Sequence, residues 1–279
     1  MVRDLSMKIR KVFYWLLVVA LFITFLTSGS VVVRYVIDSR QQKSEYDELA
    51  AMVEDARSAA LQQTEAIIAT FPDPAQPIES IEPTESTEPC ILPEYAARYE
   101  ENPDLIGWMV IEGTPINYPV MQTPDRVDYY LKRNFSKERS EHGCLYVRES
   151  CDVFTPSDNV TIYGHHMKDG SMFAGLDQFR KKSFWEEYHT INFDTLYERH
   201  TYTVFAVFVT TASVGEGFAY HLFEDAADEA AFNDFVSTCK ALADYDTGIT
   251  PKYGDKLITL STCEYSQING RLVVVAVRD

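Results

Sequence analysis

Positive charge is in short supply in this chain of 279 residues: 25 lysines and arginines face 42 aspartates and glutamates, for a net charge of -17. A general electrostatic grip on nucleic acid phosphates is thereby disfavoured, and no nucleic acid is expected among the partners. Cysteine is scarce too. The five present (Cys90, Cys144, Cys151, Cys239 and Cys263) are an odd number without a C-x-x-C pair. That argues against a dense disulfide framework and a zinc ribbon, and leaves at least one thiol free. His165, His166, His189, His200 and His221 lack metal-ligand spacing, so no metal and no cofactor are expected. No internal repeat of fixed period is visible. Hydrophobic residues at 46% and charged residues at 24% lie near the globular average, which excludes a wholly disordered, collagen-like or multi-span membrane chain.

What is there begins with residues 12–33, an uncharged run that as a helix would be about 33 Å long, enough to cross a hydrocarbon core. Arg3, Lys8, Arg10 and Lys11 precede it and an acidic stretch follows Arg34. Positive-inside logic places the N-terminus in the cytoplasm and residues 35–279 outside. The small residues Thr27-Ser28-Gly29-Ser30 suit a cleaved signal peptide, but the run is longer than the usual signal core, which favours a retained anchor. Residues 34–71 then form a juxtamembrane amphipathic helix: Tyr46, Leu49, Met52, Val53, Ala56, Ala60, Leu61, Ala66 and Ile67 recur at three- and four-residue steps. The expected role is a spacer or a helix laid against the domain. Residues 72–90 are rich in Pro, Glu, Ser and Thr and read as an extended tether. From Ser44 to Pro89 eleven acids face one base, Arg57, so ten of the seventeen net negative charges lie outside the following domain.

The domain itself spans 91–279. A helix is expected over Pro93–Glu101. Short runs rich in β-branched and aromatic residues follow at Trp108–Ile111, Ile116–Met121, Cys144–Val147, Val160–Tyr163, Tyr202–Thr211, Lys256–Thr262 and Leu272–Val277. Seven or eight such strands imply a mostly antiparallel β-barrel or sandwich, with a further helix over Asp225–Ala243 between two late strands. Three local features suit chemistry. Thr259-Leu260-Ser261-Thr262-Cys263 ends a strand on a thiol, Tyr163-Gly164-His165-His166-Met167 runs a strand into a loop carrying imidazole, and Asn269-Gly270-Arg271 feeds a guanidinium into the last strand. If the strands joined by the Cys263–Arg271 connection pair as neighbours, both side chains stand at one end of the sheet. Cys144 and Cys151 remain open as a disulfide, because their spacing does not fix their separation.

The T-L-x-T-C box, the Gly-His loop and the arginine eight residues past the cysteine resemble the sortases, membrane-anchored cysteine transpeptidases of Gram-positive surfaces. Asn102–Trp108, Ile116–Val120, His165–Phe173, Cys263–Ser266 and the late helix resemble class B in particular. The resemblance implies a closed β-barrel of seven to eight strands with peripheral helices, behind one transmembrane helix. It implies Cys263, His165 and Arg271 as catalytic residues, with Ser261 and Thr262 binding substrate. Adjacent residues of an extended segment point to opposite faces, so only one of His165 and His166 can face Cys263, and the resemblance selects His165. The implied partners are sorting-signal peptides of surface proteins, an amine acceptor on a peptidoglycan precursor or a pilin lysine, and the cytoplasmic membrane. A pilin polymerase and a secreted hydrolytic cysteine protease are the alternatives.

Overall fold

The structure, a computed structural model, describes residues 2–70, 90–213, 215–266 and 269–279. The expected tether over 72–90 and the end of the preceding helix at Phe71 lie outside the described residues, except for Cys90. The chain divides into two compact units, Met1–Ser44 and Glu45–Asp279. Helix α1, Val2–Thr70, supplies the first unit and the start of the second. In the first unit it carries a stretch long and apolar enough to cross a membrane. Trp15, Phe22, Phe25 and Val31 there are all exposed, a surface suited to hydrocarbon rather than water.

In the second unit the periodic face of α1 is laid against the domain. Tyr46, Leu49 and Val53 are buried in the main hydrophobic core. On the next turn the Arg57 guanidinium meets Glu94 at 3.3 Å and Asp194 at 3.0 Å. Glu94 is fully buried and also paired with Arg199, so these guanidiniums offset the cost of desolvating its carboxylate. At Tyr46, Leu49 and Val53 the periodicity visible in the sequence therefore reflects burial against the barrel, whereas Met52 and Leu61 of the same pattern are exposed.

Helix α2 covers Pro93–Glu101 as expected, with its proline in the first turn, where the missing N–H costs nothing. Among the described residues eight strands follow: β1 Leu105–Val110, β2 Asn117–Met121, β3 Leu145–Val147, β4 Asn159–Tyr163, β5 Thr190–Thr195, β6 Thr201–Thr211, β7 Leu257–Glu264 and β8 Gly270–Arg278. They close into a barrel in the order β1-β2-β3-β4-β7-β8-β6-β5. Pairing is antiparallel except at β2–β3 and β4–β7. Strand β5 is absent from the sequence-based expectation. Its Ile191 and Phe193 face the core, but Asn192, Asp194 and the flanking threonines mask that alternation. The short helix α3, Lys182–Glu187, precedes it.

Two apolar layers follow from strand alternation. Ile258, Leu260, Leu272, Val274 and Ala276 join the barrel interior. Leu257, Val273 and Val275 point outward, where helix α4, Glu229–Leu242, covers them with Phe232, Phe235, Val236 and Cys239. Each such side chain contributes about 1.5–3 kcal/mol on full burial. Helix α4 starts later than the expected Asp225 because the Asp228 carboxylate caps it, accepting from the Ala231 amide at 2.9 Å. The Ala226 amide is held instead by Asp158 at 3.0 Å.

Candidate active site

Beyond the edge of α4, the outward rows of β7 and β8 emerge uncovered, and there Cys263 and Arg271 stand. They are direct cross-strand partners in the antiparallel ladder, so their side chains share one face at adjacent positions. On the other flank β4 runs parallel to β7, with Tyr163 level with Ser261. The pairing continues one step past the strand: the Gly164 amide donates to the Ser261 carbonyl at 3.2 Å. The Thr262 hydroxyl donates to the Gly164 carbonyl at 2.7 Å. Two residues beyond Tyr163, His165 is thereby brought alongside Cys263. A side chain at Gly164 would come within 2.6 Å of both Leu145 and Phe173, so only glycine lets the imidazole-bearing loop lie so close to the barrel.

His165, Ser261, Thr262, Cys263 and Arg271 all line one cleft of about 420 Å³, together with Leu131, Arg148, Tyr163, Tyr220 and His221. The volume suits a segment of extended peptide. His166 points elsewhere. Its Nε2 lies 2.7 Å from Asp177, and it lines a separate charged cleft with Arg180, Asp244, Glu264 and Tyr265.

The His165 Nε2 lies 2.6 Å from the Leu131 carbonyl. A carbonyl only accepts, so Nε2 carries the proton and Nδ1 is the nitrogen left to exchange one. The Phe173 amide donates to the His165 carbonyl at 2.9 Å and fixes the backbone. Arg271 donates through Nη1 to the Gly270 and Asn269 carbonyls at 2.9 and 3.4 Å. Among the described residues, its Nε and Nη2 have no partner.

Two of the residues expected from the sequence have hydroxyls already engaged. Ser261, on the same face as Cys263, is 2.6 Å from the Tyr220 hydroxyl, and Thr262 holds Gly164 from the opposite face. Tyr220 is a participant that the sequence reading did not find, because it lies in the irregular connection between β6 and α4. Burial pushes its phenol up, while the Arg271 charge pulls it down. Burial, with the charges of Arg148 and Arg271, holds His221 below the usual imidazole range. The role of Leu131 is carried by its backbone, so no side-chain motif could have announced it.

All five cysteines are unpaired, which closes the question of Cys144 and Cys151. The Cys144 thiol sits 3.2 Å from the Tyr46 hydroxyl, whereas Cys151 meets the Asn159 carbonyl at 3.7 Å. Among the described residues no group of three or more side chains suits a metal ion.

Comparison with known proteins places this geometry. Residues 109–279 match the family model described as a sortase domain. Sortase B of Staphylococcus aureus is 33% identical over 188 residues, covering 67% of this chain and 75% of that protein. Sortase B of Listeria monocytogenes is 32% identical over 175 residues, 62% of this chain and 69% of that protein. The structure of a Staphylococcus aureus sortase B–substrate complex shares the fold, with a TM-score of 0.71 at 24% identity over 87% of this chain and 98% of that one. Sortases are membrane-associated enzymes of the cell surface. The chain belongs to the sortase family, as a class B member, and is thus a cysteine transpeptidase that cleaves sorting signals and transfers the cleaved protein to the cell wall.

Proposed function

We propose that Cys263 is the nucleophile, His165 the proton donor and acceptor, and Arg271 the oxyanion ligand of this transpeptidation. The observation that carries the reading is the cross-strand pairing of Cys263 with Arg271 beside the His165 loop in one cleft. Cys263 gives its thiol proton to His165 Nδ1, and the thiolate so formed attacks the scissile carbonyl of a sorting signal, whose oxygen takes up negative charge. Arg271, whose Nη1 anchors it to the turn, directs its remaining donors at that oxygen. The carbon–nitrogen bond breaks, the departing amine takes a proton from His165 Nδ1, and a thioester remains on Cys263. An incoming amine gives its proton to His165 and attacks the thioester. The new amide forms as the carbon–sulfur bond breaks, and Cys263 is returned.

Ser261 joins the substrate through a hydroxyl already polarised by Tyr220. Thr262, expected as a substrate contact, acts here by holding the Gly164–His165 backbone. The acceptor is an amine of a peptidoglycan precursor. Hydrolysis alone and pilin polymerisation find no support in the family comparison.

Arg271→Lys tests the assignment. Lysine keeps the charge but loses the planar fork. Turnover is expected to fall by about 10²–10³-fold, the scale of a lost oxyanion donor. Near-normal kcat/KM in the folded variant would reduce Arg271 to a surface charge.

In the membrane, residues 12–33 form the single span, with the basic N-terminus in the cytoplasm and the catalytic domain, 91–279, outside on its tether. Protease added to intact protoplasts is expected to digest the domain. A C-terminal tag reached only after lysis would reverse the orientation.

A further inference from the structure

The segment between β2 and β3 that supplies the Leu131 carbonyl has little regular structure of its own. It contains one short helical turn, Tyr129–Lys132. It is held on one side by Asn102 and Asp104 just ahead of β1, which bond Tyr130, Phe135 and Lys137, and on the other by the part of α1 that begins the second unit. The Tyr46 hydroxyl donates to the Gly143 carbonyl at 2.5 Å. Gly143, at φ +60°, packs so closely on this segment that an added Cβ would lie 2.6 Å from the carbonyl oxygens of both Leu131 and Tyr130. The neighbouring Cys144 amide donates to the Tyr130 carbonyl at 3.1 Å. One residue earlier on the helix, Glu45 accepts from Asn134 at 2.9 Å and Ser136 at 3.3 Å.

A second route leads to the same histidine. The Tyr46 ring packs edge-on against Tyr118 at 5.3 Å. The Tyr118 hydroxyl accepts from the Met172 amide at 3.3 Å, and the next amide, Phe173, holds the His165 carbonyl. One route ends on the imidazole and the other on the backbone that carries it. Tyr46 is only 3% exposed, and burial keeps its phenol protonated as a donor.

We propose that Tyr46, on the helix docked against the barrel, is a positioning residue for His165, acting through Gly143 and Leu131 on its ring and through Tyr118 and Met172 on its loop. The proposal rests on the reading of His165 as the proton-transfer group. Proton transfer demands a fixed imidazole, and small misplacements of a reacting group are costly. The sorting-signal peptide, by contrast, is gripped in a cleft that Tyr46 does not line. Loss of the Tyr46 hydroxyl therefore acts on kcat rather than KM.

The test uses the full chain in detergent micelles with a sorting-signal peptide and an amine acceptor. Tyr46→Phe is expected to lower kcat about tenfold, keep KM within about twofold, and displace the pH profile of kcat/KM. Val53→Ala, a buried position two turns further along the same helix face, is the control. It is expected to lower the thermal midpoint at least as much while leaving kcat and the pH profile unchanged. Should Tyr46→Phe fail to fold, Tyr118→Phe reads the second route with the same expectation. Unchanged kcat and pH profile in the folded variant would overturn the proposal, and so would a kcat loss in both variants proportional to their lost stability. His165→Ala, measured alongside, separates the two levels: retained activity there sinks the reading of His165 itself.

Discussion

Cys263→Ala is expected to abolish both cleavage and transfer while the barrel remains folded. The thiolate is the one group at the end of β7 able to hold the acyl chain, and without it turnover should fall by at least about a thousandfold. The side chain is only partly buried at the rim of the cleft. Its truncation leaves no closed cavity, and the thermal midpoint should move little. Chemical labelling gives an independent reading. Cys144, Cys151 and Cys239 are buried, and burial pushes the Cys144 thiol up to about 12 and Cys151 up to about 11. At pH 8 these remain protonated thiols, so iodoacetamide should modify Cys90 and Cys263 alone. Modification of Cys263, not of Cys90, should track the loss of activity. Because their folded values are raised, the buried thiols support the fold fully below the ordinary thiol range. That support declines as pH rises toward their folded values. A Cys263→Ala protein that still formed an acyl-enzyme would end the assignment.

The second large effect separates two neighbouring histidines. His165→Ala should remove cleavage and transfer together, because the leaving amine cannot depart unprotonated and the incoming amine cannot shed its proton. His166→Ala should keep most of the activity. Its imidazole faces Asp177 in another cleft, and loss of such a partly exposed pair costs about 1 kcal/mol or less. Mass spectrometry of the products with and without a small amine reports both steps: transfer adds the amine's mass, and hydrolysis leaves a free acid. The converse pattern, with His166→Ala inactive and His165→Ala active, would exchange their roles.

Much of this molecule is legible in the sequence, because many of its signals are local. The uncharged run marks, by length and composition alone, a stretch able to cross a membrane. Helix α2 and most strands are read from periodicity and turn residues. The residues brought into one cleft, Cys263, His165 and Arg271, each sit where a strand ends or begins, a placement visible as motif and spacing. Strand β5 was not legible, since four of its six residues are polar and only pairing with β1 and β6 stabilises it as a strand. Nor were the two parallel pairings, β2–β3 and β4–β7, although the second is what sets the His165 loop against the end of β7.

The sequence by itself determined the elements and the chemistry of their ends, because propensity, periodicity and turn preference act over a few residues. The motif resemblance already selects His165 over His166, but only the tertiary structure decided what fixes the proton on that imidazole. It also decided that Tyr220 partners Ser261 and that Tyr46 reaches Gly143 from 97 residues away. Those choices depend on strand order and on backbone groups. A carbonyl such as that of Leu131 is common to every residue, so its meaning comes from where closure of the barrel places it.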